Sequence, residues 1–310
     1  MLNNQLEDSY NNFKKSKTTL NLNSIKWAIK NIFYSFSNNS KRAKSSTPKI
    51  LFFCPWFDNF THFCLEGYPR LYFAIKELKA KNMDFYVVVP PKRREFDTKA
   101  LYDSFINPIL ESLNIDKSRR IYTNTYSKLF SPPFIKLHNA LIPTHIKCNP
   151  TYITEAINHL KQFYYDENFK WEWENVYVSR KKANRRKIAN EDSLVTFLAK
   201  YNFKEVSMED LSFKERINIL MRTKNLLGID GTNLTGMIFM PKDSNCIALR
   251  CYDMQEFNQF SASIAGINFF CIVCEVDKYI PNHNGESWFF SDLLVNIDYL
   301  ESKLKEYGII

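Results

Sequence analysis

Three stretches of this 310-residue chain place polar side chains where they could do chemistry. In Asn59-Phe-Thr-His62-Phe-Cys-Leu-Glu66-Gly-Tyr-Pro69-Arg70, histidine and glutamate stand four residues apart. On a helical turn that spacing puts imidazole and carboxylate on one face, where either His62 or Glu66 can take a proton from a hydroxyl group. Pro69 fits the first turn of a helix better than its interior, so the turn holding His62 is expected to be separate or kinked. A His62 that only caps or bridges the core is the alternative. The second stretch, Tyr177-Val-Ser179-Arg180-Lys-Lys-Ala-Asn-Arg185-Arg186, runs from an apolar segment straight into cations. Such a run is ordinarily a solvated surface. At the mouth of a parallel sheet, however, the guanidinium groups of Arg180 and Arg186 suit a bidentate grip on a diphosphate. The third, Leu227-Gly228-Ile-Asp230-Gly231-Thr232-Asn233-Leu-Thr235-Gly236, reads as a strand, a glycine turn and a helix start. Backbone amides and the positive end of the helix dipole make an anion site there, and Gly231 lets a phosphate come close. The segment has neither the lysine of a P-loop nor the G-x-G-x-x-G of a dinucleotide site.

The elements that must position these residues alternate between strand and helix. Lys49 to Trp56, Asp84 to Pro90 and Arg120 to Thr123 read as strands, separated by helical patterns through Leu71, Ile75 and Leu78 and from Leu101 to Leu113. Ser127 to Pro150, with four prolines, reads as an irregular crossover. A second series follows, with strands at Val176–Arg180, Lys204–Ser207, Leu226–Asp230, Cys246–Cys251 and Phe269–Val276. Helices are expected at Asn190–Tyr201, Phe213–Asn225 (capped by Ser212 and Glu215), Asn233–Met240, Glu256–Gly266 and Leu293–Tyr307. Two successive βαβ series imply two parallel sheets, and ligands of such sheets bind at the carboxyl ends of strands.

Composition narrows the classes further. Of the net charge of +9, residues 1–50 carry +7, with nine basic side chains against Glu7 and Asp8. The charge therefore marks an N-terminal arm, and a nucleic-acid role is not expected. Within the arm, Ile25, Ile29, Ile32, Phe33 and Phe36 recur at helical spacing among lysines. This gives a basic amphipathic helix that lies either on an anionic membrane surface or on its own domain. Residues 37–48 read as a linker. The chain shows no secretory signal and no long apolar run, which leads to a cytoplasmic expectation with peripheral contact at the inner membrane face through residues 14–44. The seven cysteines read as reduced core thiols, Cys271 and Cys274 included, and the five histidines form no ligand cluster.

Taken in order, the three stretches resemble the motifs of glycosyltransferase family 61, of capsular-polysaccharide type. These run N-x-x-H-x-x-x-E-x-x-x-R-L, then S-R-x(5)-R with a following N-E, then G-x-H-G-A-x-L-T-N-x-x-F. The match covers Asn59, His62, Glu66, Arg70 and Leu71, then Ser179, Arg180, Arg186, Asn190 and Glu191, then Gly228, Gly231, Leu234, Thr235 and Phe239. Asp230, Thr232 and Gly236 depart from the third motif, and Ala248 stands where many relatives have glutamate. The resemblance implies an α/β protein of GT-B architecture, two Rossmann-like domains facing each other across a cleft. With it go a basic arm at 1–47, an acceptor domain at 48–165 and a nucleotide-sugar domain at 166–310. It implies inverting transfer from a nucleotide sugar, UDP-linked, to a glycan or lipid-linked glycan, with no metal and no other cofactor. His62 or Glu66 would be the base. Asn59, Arg180, Arg186, Asp230, Gly231, Thr232, Asn233 and Thr235 would hold the donor. An acidic Asp230 beside a diphosphate repels it unless a sugar hydroxyl or an arginine engages the carboxylate. The alternative is a sugar- or nucleotide-binding assembly protein that kept the fold and lost turnover.

Overall fold

The computed structural model describes residues 38–51, 59–89, 102–122, 137–144, 149–252, 257–280 and 291–310. By contacts the chain groups into two units, Met1–Phe53 with Phe73–Thr144, and Cys54–Tyr72 with His145–Ile310. The segment carrying Asn59, His62 and Glu66 thus falls in the same unit as the C-terminal sheet, although in sequence it follows the first strand of the other one.

The first unit holds β1 (Lys49–Ile50), β2 (Tyr86–Val89), β3 (Arg120–Tyr122) and β4 (Ala140–Leu141) in an all-parallel sheet of order β3-β2-β1-β4. Ile50, Val87, Val89 and Ile121 are fully buried, as strands covered on both faces require. Two expectations are corrected here. The proline-rich crossover contributes β4, paired with β1, because Ala140 and Leu141 lie between the prolines and keep their ladder donors. Residues 38–44 of the expected linker form a helix, Asn38–Lys44. It contains no glycine or proline, buries Ala43 and ends on Lys41, Arg42 and Lys44, which complement the dipole. Arg42 Nη1 donates to the Arg120 carbonyl at 3.1 Å, tying this helix to β3. The rest of the amphipathic arm lies outside the described residues.

In the second unit, β5 (Asn175–Val178), β6 (Phe203–Val206), β7 (Asn225–Ile229), β8 (Asn245–Arg250) and β9 (Asn268–Val273) form a parallel sheet of order β6-β5-β7-β8-β9. Side chains alternate with period two. Tyr177, Leu227, Ile229, Ile247 and Leu249 belong to a core shared with Leu194 and Leu198 of helix Glu191–Ala199 and Leu300 and Leu304 of helix Ile297–Glu306. The C-terminal expectation is corrected as well. Strand β9 stops at Val273, and β10 (Glu275–Lys278) pairs antiparallel with β11 (Asp292–Leu294). Leu293 and Val295 are buried while Leu294 is exposed, a strand alternation, so the last helix begins only at Ile297 behind its Asn296 cap. Cys64, Cys246, Cys251 and Cys274 are buried. Burial pushes Cys274 up to about 12, which keeps it inert. Cys271 is only partly buried, and Cys54 and Cys148 lie outside the described residues. Among the described residues no helix is long and apolar enough to cross a membrane.

Candidate functional site

In the second sheet the chain passes from β5 to β6 on one side and returns to β7 on the other. Connections that leave neighbouring strands in opposite directions open a crevice at their carboxyl ends, the usual ligand position in such sheets. The residues that follow β5 are Ser179 to Arg186, and those that follow β7 are Asp230 to Asn233. Two of the three stretches singled out in the sequence therefore flank one switch point.

The loop after β5 is held by its own side chains. The buried Glu191 carboxylate accepts from Tyr177 Oη at 2.7 Å, Ser179 Oγ at 2.8 Å and the Arg180 amide at 3.2 Å. Burial, then the Glu191 carboxylate, raises the Tyr177 phenol far above its ordinary range, so it stays a donor. Asn190 pairs with the Val295 peptide in both directions, at 2.8 and 3.0 Å. Arg180 is hydrogen-bonded within its own loop. Its Nε and Nη2 donate to the carbonyls of Arg186 and Arg185 at 3.0 and 3.2 Å, closing the loop on itself. Arg186 sits at the tip with φ of 56°, a conformation that costs a non-glycine residue about 1–3 kcal/mol. Its Nη1 donates to the Asp230 carbonyl at 3.2 Å. Burial and the neighbouring Arg180 and Arg185 cations push Arg186 down to about 10, so it is still charged at neutral pH. A half-buried cation crowded by two others gains from an incoming anion.

The glycine turn meets this arginine. Gly231 has φ of 152°, open only to glycine, and a Cβ there would run into the Arg186 guanidinium. A 3-10 helix, Thr232–Phe239, starts directly behind it, and its first backbone N–H groups have no intrahelical acceptor. Gly231→Ala is expected to displace Arg186 and lower kcat/KM by about 10²-fold, the scale of one lost transition-state donor. Steady-state kinetics with a melting curve separates that from unfolding. Asp230, 5 % exposed, pairs with Arg250, 3 % exposed, at 3.1 Å and also accepts from Asn258 Nδ2. Its charge is thus answered from inside the sheet, and Asp230 braces the turn through side chains the sequence reading did not single out.

The helical segment carrying His62 is tied to the same turn. Asn59 caps Phe60–His62 by accepting from the Thr61 amide, and its Nδ2 donates to Thr232 Oγ1 at 3.3 Å. Thr61 Oγ1 and Thr235 Oγ1 are 2.6 Å apart, and Thr235 donates to Asn258 Oδ1. The expected break before Pro69 takes the form of a π-helical turn, Phe63–Gly67, between Phe60–His62 and Tyr68–Ala80. There Tyr68 N–H reaches Phe63 O, five residues back. The wider turn relieves the clash a proline ring makes with the carbonyl four residues before it. Pro108 is preceded by a π turn, Tyr102–Ile106, in the same way. His62 Nδ1 and Glu66 Oε1 are 2.8 Å apart, with side chains 20 and 18 % exposed. The imidazole packs edge-on against Phe257 at 5.0 Å. His62–Glu66 is thus a hydrogen-bonded pair of half-buried side chains.

Asn59, Thr232, Thr235 and Asp230 are joined by this network, Gly231 and Arg186 touch, and Asn233 follows them on the 3-10 helix. Asn258 and Arg250 were missed. The only trace of Asn258 in the sequence is a polar residue on the buried stripe of Phe257–Ala265, and of Arg250 a charge ending an apolar strand.

The second unit, a parallel α/β unit, thus presents the Arg186 guanidinium and the amides of the Gly231 turn at its switch point, and the hydrogen-bonded His62–Glu66 pair belongs to the same unit. The model of the glycosyltransferase 61 family matches residues 60–247, and the chain belongs to that family. It is a glycosyltransferase, with a sugar donor and an acceptor as substrates. No curated protein gives a significant match to the chain.

Proposed function

We infer that the chain is an inverting, metal-independent GT-B glycosyltransferase that moves a sugar from a nucleoside diphosphate to a glycan of a bacterial surface polysaccharide. The observation that carries this reading is the contact of Arg186 with the Gly231 turn at the switch point, with Asp230 neutralised by Arg250. A positive charge and backbone donors from the protein stand where the leaving diphosphate needs them, the role a divalent cation fills in other enzymes. Asp230 and Arg180 act on the donor through Arg186 and the turn. The basic arm, residues 1–47, supports attachment at the inner membrane face.

His62 is the base. With Nδ1–H donated to Glu66, Nε2 is the nitrogen that takes the acceptor proton, and Glu66 fixes the ring and stabilises the imidazolium. As the acceptor oxygen bonds to the anomeric carbon, the carbon–oxygen bond to the diphosphate breaks from the opposite face. The electron pair leaves on the β-phosphate, opposite Arg186. His62→Ala is expected to lower kcat about 10²–10⁴-fold with donor KM little changed, and Glu66→Gln to lower it less. Anomeric configuration of the product, read by NMR in the presence of a chelator, tests the reading as a whole. Retention, or loss of turnover on chelation, would contradict it.

A further inference from the structure

Two consecutive residues at the start of helix Phe257–Ala265, which follows β8, reach the two halves of the site. Asn258 is buried and donates from Nδ2 to the Gly231 carbonyl at 3.1 Å and to the Asp230 carboxylate. Phe257, the residue before it, meets the His62 ring with centroids 5.0 Å apart and planes at 69°. The helix turns Asn258, Ser261 and Ala262 inward, and Ser261 Oγ donates to the Phe257 carbonyl at 2.8 Å. The backbone that carries the phenyl group is thereby fixed, yet Phe257 is 46 % exposed. A single exposed apolar side chain is ordinary on a protein surface. The place of this one is not, because it touches the His62 ring while its neighbour holds the turn that faces Arg186.

Resting on the reading of His62 as base, we propose that Phe257 is the platform on which a pyranose of the acceptor stacks by its C–H face, with the attacking hydroxyl turned to His62. In an in-line displacement that hydroxyl lies against the base, on the side of the anomeric carbon opposite the leaving diphosphate. The ring that carries it must therefore pass beside the base, where Phe257 stands. A pyranose holds its hydroxyl groups around the rim and leaves a face of C–H groups that is apolar and slightly positive. The face of a phenyl ring is apolar and slightly negative, so the two attract, whereas a carboxylate or phosphate is repelled. An acyclic polyol has the same hydroxyl groups and no such face. Phe257 thus selects an uncharged sugar ring as acceptor and has no part in holding the donor diphosphate.

Saturation-transfer NMR on the full chain, with inorganic pyrophosphate present, tests this. The probes are the methyl β-pyranosides of glucose, galactose and N-acetylglucosamine, with sorbitol as the acyclic control. At least one pyranoside is expected to receive saturation at its ring C–H protons, and sorbitol none at the same concentration. Phe257→Leu keeps an apolar side chain against His62 and removes the flat face, so it should weaken that pyranoside about tenfold, while Phe257→Tyr should hold it within about twofold. Pyrophosphate binding, followed by calorimetry, should be unchanged in both variants and so reports that the site is folded. A residue that only steadied His62 would leave pyranoside binding intact in Phe257→Leu. That result, equal saturation of sorbitol, or no pyranoside signal in wild type would overturn the platform and leave the donor reading standing. Wild type that fails to bind pyrophosphate would remove the donor reading as well.

Discussion

Arg186→Ala is expected to lower kcat/KM by about 10²–10³-fold, roughly 3–4 kcal/mol of transition-state stabilisation, while the protein melts within a few degrees of wild type. The first half follows from the contact with Gly231 and the Asp230 carbonyl, which sets the guanidinium at the mouth of the turn. The second half follows from its surroundings. Burial and the adjacent Arg180 and Arg185 already disfavour the Arg186 charge, so its removal takes away repulsion along with the hydrogen bond to the Asp230 carbonyl. Lysine should not rescue it, since a point charge on a flexible stem lacks the planar fork. Steady-state kinetics and calorimetric melting on the same preparation check both. Full activity in Arg186→Ala would remove the residue from the site.

Asp230→Ala is expected to behave in the opposite way, unfolding more than it inactivates. It would remove the carboxylate paired with Arg250, 3 % exposed, and an acceptor of Asn258. Removing one partner of a buried pair costs about 3–5 kcal/mol. For a chain of this size 3 kcal/mol lowers the melting midpoint by about 6–12 °C. Replacing both partners with apolar residues, Asp230→Leu with Arg250→Met, should restore much of that stability. Activity should stay low in the double variant, because the turn loses the brace that runs through Asn258 to Thr235 and Thr61. Melting curves of the single and double variants read the coupling directly. Equal midpoints for wild type and Asp230→Ala would mean the pair does not hold the turn.

How much of this was legible in the sequence depended on whether a residue acts within its own segment or across segments. The βαβ alternation and the Ser212–Glu215 capping box depend on period and local chemistry, and the structure has them. His62 and Glu66 meet because four residues is one helical turn. The π turns before Pro69 and Pro108 are the local answer to proline, though the sequence marks only that something must give. Helix Pro150–Tyr164 could have been read, since Asn149 caps it, Pro150 opens it and Ile153, Ala156, Ile157 and Leu160 repeat at helical spacing. Strand β11 was harder, because three residues beside a helical pattern carry little periodic signal. Asp230 was a puzzle for a different reason. Its partner Arg250 comes from the next strand and Asn258 from the helix after it, and no spacing rule joins them. Arg180 looked interchangeable with Arg186 by composition, and only the fold distinguishes the one that braces the loop from the one that faces the turn.

The central claim is that a diphosphate sits between Arg186 and the amides that open the Thr232–Phe239 helix. The most direct measurement is a crystal structure of the chain with a nucleoside diphosphate bound. The account predicts phosphate oxygens within hydrogen-bonding distance of the Arg186 guanidinium and of backbone N–H groups in 231–233. A nucleotide whose phosphates lie elsewhere, away from the Arg186 guanidinium, would contradict it.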